Sequence, residues 1–238
     1  MLQTLVMLIM FAANLVHAAW TDYEEKRNLS LDAQGMETLQ IEAGAGGLDV
    51  TGVAGSTKIV VAALIQVPDA DADKARQIIR EDLVLSLDRD GRNADLKAFF
   101  ENGSWSFGDS PSISLDVRVP EGMSLDIEDG SGPVEVRNVR GDITLDDGSG
   151  SIVMTGVGGQ LYVRDGSGSI VIKGAGGDLE IVDGSGSINV AGVQGSVTVE
   201  DGSGSIDVSD VSGDMLVVDD GSGSVNYSGI AGRVQTDD

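Results

Sequence analysis

Carboxylates set at a fixed interval are the residues of this chain best suited to chemistry. The string DGSGSI, or a close variant, begins at Asp129, Asp147, Asp165, Asp183 and Asp201, and after one extra residue at Asp220. If eighteen residues make one coil, stacking would hold these carboxylates about 5 Å apart, where each neighbouring pair repels by roughly 0.8 kcal/mol in water and by more where hydration is poor. Two arrangements would offset that repulsion. In one, each Asp accepts hydrogen bonds from the amides of its own corner, helped by Ser149, Ser167, Ser185 and Ser203. In the other, Asp147, Asp165, Asp183 and Asp201 form a cation ladder, with calcium the candidate ion because hard cations take oxygen ligands. Adjacent pairs such as Asp146 with Asp147 and Asp219 with Asp220 would suit a polysaccharide-cleaving enzyme if each pair converged on one groove. Phe99, Phe100, Trp105 and Phe107 form the one aromatic cluster, either a stacking platform for a sugar or peptide or a plug over an open end of the fold.

Residues that are missing narrow the chemistry further. His17 is the only histidine and there is no cysteine, so the chain after residue 19 can build neither a Ser-His-Asp nor a Cys-His arrangement. Zinc would have to be held by carboxylates alone. With 15 Lys and Arg against 39 Asp and Glu the net charge is −24, which excludes nucleic acid as a natural partner.

The elements that position these residues follow from the repeat. Each period splits into two nine-residue units, as in DGSGSIVIK from Asp165 and GAGGDLEIV from Gly174. Apolar residues at positions six and eight of each unit (Ile170 and Ile172, Leu179 and Ile181, Ile188 and Val190, Val197 and Val199) lie two apart and so share one strand face. They are predicted to point inward, and Val171, Glu180, Asn189 and Thr198 outward. Val157, Ala175, Val193, Val211 and Ile230 add a third inward position at the corner without the Asp. The fold class is all-β: a single-stranded parallel β-solenoid with 18-residue coils of two strands each, β-helix or β-roll-like. The calcium-binding nine-residue β-roll has an Asp ligand at position six, where this chain has Ile152, Ile170, Ile188 and Ile206. Hexapeptide helices repeat every six residues, and this chain repeats every nine.

Upstream the period is less regular. AGAGGLDVT from Ala43 and GVAGSTKIV from Gly52 match the two units and predict an early coil. Ala72, Ala75, Ile79 and Leu83 recur at helical spacing after Pro68, with Asp71 and Asp73 suited to the first turn. Residues 85–87 and 94–100 around Asp88-Arg89-Asp90-Gly91 read as a hairpin, and Ile113, Leu115, Val117 and Val119 as an alternating strand. Residues 1–19 are uncharged, apolar from Leu2 to Val16, and end in small residues, which reads as a secretory signal peptide too short for a membrane span. The expected organisation is a signal peptide at 1–19, solenoid coils with an irregular insertion and cap at 20–128, and the regular array at 129–238.

The signal peptide, the AGAGGLDVT coil, the segment VPEGMSLDIEDGSGPVEV and the tandem GSGxIxVxxVxGxLxV coils together resemble the bacterial putative-adhesin domain family of unknown function, related to the head-GIN-domain adhesins. That resemblance implies a β-solenoid and supplies no site residues. The expected function is an exported, non-enzymatic, adhesin-like protein of the periplasm or cell surface, with no membrane span after signal cleavage, that binds a protein partner or envelope glycan. The alternatives are a cation-stabilised structural solenoid and a carbohydrate-active enzyme.

Overall fold

Short alternating strands with aliphatic residues on one side cannot bury that side alone, and here they do so by winding around a common core. The structure, a computed structural model, describes residues 22–68, 70–101 and 110–236. Strands β1 (Tyr23–Asp32), β2 (Thr38–Ala45), β3 (Leu48–Val53) and β4 (Lys58–Val67) precede helix α1 (Ala72–Asp82), then β5 (Leu83–Asp90), β6 (Asn93–Phe100) and β7 (Ser112–Pro120). Six coils of two strands follow: β8 (Ser124–Ser131) with β9 (Val134–Arg137), β10 (Ile143–Asp147) with β11 (Gly150–Val157), β12 (Leu161–Asp165) with β13 (Gly168–Ala175), β14 (Leu179–Asp183) with β15 (Gly186–Val193), β16 (Val197–Asp201) with β17 (Ser203–Val211), and β18 (Met215–Asp219) with β19 (Ser222–Ile230). Strand β20 (Val234–Thr236) ends the described chain.

The strands form two facing sheets. The first runs β1-β4-β7-β3-β9-β11-β13-β15-β17-β19, and the second β20-β18-β16-β14-β12-β10-β8-β2-β6-β5. Within the array every neighbour is parallel and, apart from a shift at the end of the β16–β18 pair, in register, so Ile152 lies beside Ile170, which continues to Ile188 and Ile206, and Leu161 beside Leu179. This is the β-solenoid that the eighteen-residue period predicts. Ile170, Ile172, Leu179, Ile181, Ile188, Val190, Val197 and Val199 are all buried, as are Val157, Ala175, Val193 and Val211, whereas Glu180 and Asn189 are exposed. Neighbouring strands about 4.8 Å apart leave no room between coils for anything but side chains of matching size, and the aliphatic columns supply these.

The early coil is half as predicted. Strands β2 and β3 stack on β8 and β9, with Ala43 beside Asp129 and Leu48 beside Val134, so AGAGGLDVT does form a rung of the solenoid. The unit from Gly52 does not continue it. Its position six is the polar Thr57, and a turn closed by the Ser56 amide donating to the Val53 carbonyl (3.2 Å) sends β4 back antiparallel to β7 within the first sheet. Strand β1 then pairs antiparallel with β4 and ends that sheet, while the antiparallel hairpin β5–β6 ends the second. Helix α1 forms on the predicted spacing, except that Asp71 caps it rather than lying in its first turn and Leu83 opens β5: Asp71 Oδ1 accepts from the Asp73 and Lys74 amides, and Ala75 and Ile79 are buried against the core. The hairpin strand runs to Asp90, so its turn lies at Gly91-Arg92, later than the sequence suggests. Among the described residues no helix is long and apolar enough to cross a membrane.

Candidate functional site

The aspartate column forms because of where each strand ends. In β10, β12, β14 and β16 the inward positions alternate, and the third of them is Asp147, Asp165, Asp183 or Asp201. The same alternation turns Asp129 inward in β8. These five are the buried polar residues of the described chain, with only 1 to 6% of their surface exposed. Each is the direct register partner of the next, from Asp129 through Asp147, Asp165 and Asp183 to Asp201. Sequence spacing thus located the stack correctly, but not its burial.

One oxygen of each array carboxylate is used as an Asx corner requires. Oδ1 of Asp147, Asp165, Asp183 and Asp201 accepts from the amides of Ser149, Ser167, Ser185 and Ser203 at 3.0 to 3.2 Å. The serine backbone, rather than its hydroxyl, makes the contact. The second oxygen, Oδ2, is buried without a hydrogen-bond partner in all four, and Asp129 has neither oxygen satisfied. Burial, the largest cause, raises all five carboxyls above the ordinary range: Asp129 to about 7, with the Asp147 charge adding to the shift, and Asp165 to about 6, with Asp147 and Asp183 adding.

Asp220 does not extend the column. The extra residue in the last coil shifts the register between Val199 and Glu200, so Asp219 pairs with Glu200, and it is Asp219 Oδ1 that accepts from the Gly221 amide (2.8 Å). Both Asp219 and Asp220 lie outside the buried set. The proposed enzymatic pairing also loses its geometry. Asp146 and Asp147 are consecutive strand residues and face opposite sides, with Asp147 inward and Asp146 exposed beside Arg164 (3.9 Å). Phe99 and Phe100 sit at the end of β6, half-buried opposite Val84 and Leu83, and Phe100 packs against the core. Trp105 and Phe107 lie outside the described residues.

A second set of aspartates was missed by the sequence reading. At the other corner Asp142 Oδ1 accepts from the Gln160 amide (2.8 Å), Asp178 from Ser196 (2.8 Å) and Asp214 from Arg233 (2.7 Å), each joining one coil to the next. Their signal is an Asp in every second coil, a thirty-six-residue spacing hidden beneath the stronger eighteen-residue one.

The outer faces carry two shallow depressions. One, of about 290 Å³, lies on the first sheet among Asn189, Asp207, Ser209, Asn226, Tyr227 and Ser228, with Asn226 Nδ2 donating to Asp207 Oδ1 (3.0 Å). The other, of about 250 Å³, lies on the second sheet and is acidic, lined by Glu42, Asp95, Asp126 and Glu128, with Lys97 paired to Glu42 (3.3 Å). Among the described residues no three carboxylates or other ligating side chains converge on a point that could hold a metal ion.

No family model and no curated protein matches the chain. Among solved structures it is similar to a "putative cell adhesion protein" from Clostridium sporogenes, at 13% identity over 90% of this chain and 99% of that one, with a TM-score of 0.38. It is likewise similar to a "putative adhesin" from Parabacteroides distasonis, at 13% identity over 90% and 97% of the two chains, with a TM-score of 0.43.

Proposed function

We propose that this protein is an exported, non-enzymatic, adhesin-like solenoid that binds a cell-envelope glycan along the outer face of its first sheet. The observation that carries this reading is the character of that face toward the last coils. Asn189, Asp207 and Asn226 stack in register in one column and Ala191, Ser209 and Ser228 in another, around the 290 Å³ depression. Amide, carboxylate and hydroxyl groups repeated at strand spacing suit an extended, hydroxyl-rich chain, and a shallow open surface suits binding rather than a reaction that must exclude water. The second sheet's depression is more acidic and less suited to a neutral glycan.

Two measurements test the reading. Expression of the full chain in a Gram-negative host should give a processed protein beginning near Ala19 or Trp20 in the periplasmic fraction, and intact Met1 protein in membranes would refute export. Purified processed protein should be retained by envelope polysaccharide or peptidoglycan, and Asn189→Ala with Asn226→Ala should weaken retention at least several-fold. Retention by an envelope protein but by no glycan would transfer the partner class to protein. New reducing ends in the polysaccharide would refute the non-enzymatic part.

A further inference from the structure

The five buried aspartates leave a problem that the Asx corners do not solve. The corner amides satisfy Oδ1 but not Oδ2, and the Oδ2 atoms of Asp147, Asp165, Asp183 and Asp201 have less than 1 Å² exposed and no partner. No amide or side chain of the described chain donates to them. The DGSG corner is glycine and serine, and an added methyl at Gly168 or Gly204 would come within 3.3 Å of Oδ2 of Asp165 or Asp201, so the backbone closes tightly over these atoms. Across the core lie aliphatic residues such as Ile152, Ile170 and Ile188. The charged groups that act on the column are all acidic: its own members, Asp146 beside Asp147, and Asp219 and Asp220 beside Asp201.

Carboxylate oxygens can face one another in a dry interior only with something positive between them. A calcium ion would need six to eight oxygens around a point. Here the free oxygens form a line, one per coil, while Oδ1 is taken by its serine amide and the aspartate carbonyls of adjacent coils accept from Gly148, Gly166, Gly184 and Gly202. A hydrogen needs two oxygens, one to carry it and one to accept it.

We propose that the aspartate column is a proton ladder, in which carboxylic acids donate to carboxylates of neighbouring coils, so that folding takes up protons from solvent and the coil stack tightens at mildly acid pH. The elevated titration of Asp129 and Asp165 agrees with this, and Asp129, whose two oxygens both lack a partner, is the natural acid of the first step. A coupled row titrates as a unit, so the values belong to the column rather than to single residues. Because the folded-state values lie above the ordinary 3.8, the stabilisation is complete below about pH 4 and is lost as pH rises through 6 to 7. That is the reverse of ordinary acid denaturation.

The test uses the processed full chain. Carbon-13 NMR of the aspartate carboxyls should show at least one resonance titrating near pH 6 to 7, and the melting temperature should be roughly 5–10 °C higher at pH 5 than at pH 8. Asp165→Asn with Asp183→Asn supplies permanent N–H donors in place of shared protons, and should flatten that dependence and raise stability at pH 8. Carboxyls that all titrate near pH 4, or a melting temperature that is level or rises from pH 5 to pH 8, would overturn the proposal. So would saturable stabilisation by calcium at pH 8, beyond a matched sodium control and lost in the double variant, which would identify a cation ladder instead.

Discussion

Gly168→Ala probes the tightest contact in the stack. Gly168 has φ +151°, a region that L-residues avoid, and a methyl added there would fall inside the carbonyl oxygen of Gly150 on the preceding coil. The carbonyl is backbone and the methyl is fixed to Cα with no rotamer to choose, so relief requires the two coils to part at the corner. Parting strains the bonds that join these two coils at the corner, from the Gly150 amide to the Ser167 carbonyl (3.0 Å) and from the Gly166 amide to the Asp147 carbonyl (2.9 Å), each worth about 1 kcal/mol. The unfavourable backbone region adds about 1–2 kcal/mol, and loosened packing around Ile170 adds a comparable amount. The expected loss is about 4 kcal/mol or more, in the range reserved for severe core defects. Gly55→Ala is the control: φ is +71°, but nothing lies within 4 Å of the added carbon, so it should lose only about 1 kcal/mol. Urea titration followed by circular dichroism measures both. If Gly168→Ala were no more destabilising than Gly55→Ala, the coils would not be stacked at this corner as described.

Further expectations follow from register and hydrogen bonding. Ile170→Asp or Val199→Asp places an unpaired charge in the core and should unfold the array, whereas Glu180→Lys on the outer face should shift the urea midpoint little. Asp178→Ala removes the acceptor for the Ser196 amide and should lower stability by about 1 kcal/mol, with faster hydrogen exchange at that amide as the local readout. Asp146→Asn, which touches neither the column's corner bonds nor the core, should leave thermal stability nearly unchanged.

The solenoid was legible because its period is written twice, in glycines that set corners and in aliphatics that set faces. Both signals fix the register of Ile170, Leu179 and Val199 without reference to any other part of the chain. Strand β1 was not legible, because its inward positions are Tyr23, Glu25, Arg27, Leu29 and Leu31, and the charged Glu25 and Arg27 read as solvent-facing. Its partner β4 was misassigned for a related reason: the nine-residue glycine pattern persists from Gly52, yet Thr57 at position six removes the side chain that would hold the strand in the second sheet. Pattern without its inward apolar residue did not suffice. The candidate site was legible as a column and not as a buried one, since Asp at the corner of a loop-like DGSG string looks exposed, and only the third inward step of strands such as β12 carries it inside.

Repetition explains why an acidic column exists in the core at all. Parallel in-register stacking repeats whatever occupies a position, so the corner that gains an Asx hydrogen bond from one aspartate must accept a whole row of them. Each rung from Asp147 to Asp201 gains an Oδ1 bond worth about 1–3 kcal/mol as a charge-assisted contact, and each also leaves an unsatisfied Oδ2 in the row. Asp201 ends the buried row where the inserted residue shifts the register, and Ala43 ends it on the other side, stacked on Asp129. At the Ala43 end the Asp129 carboxyl has no corner amide to hold its charge, and it is the group raised furthest, to about 7. The row therefore begins with the member best suited to carry a proton at neutral pH.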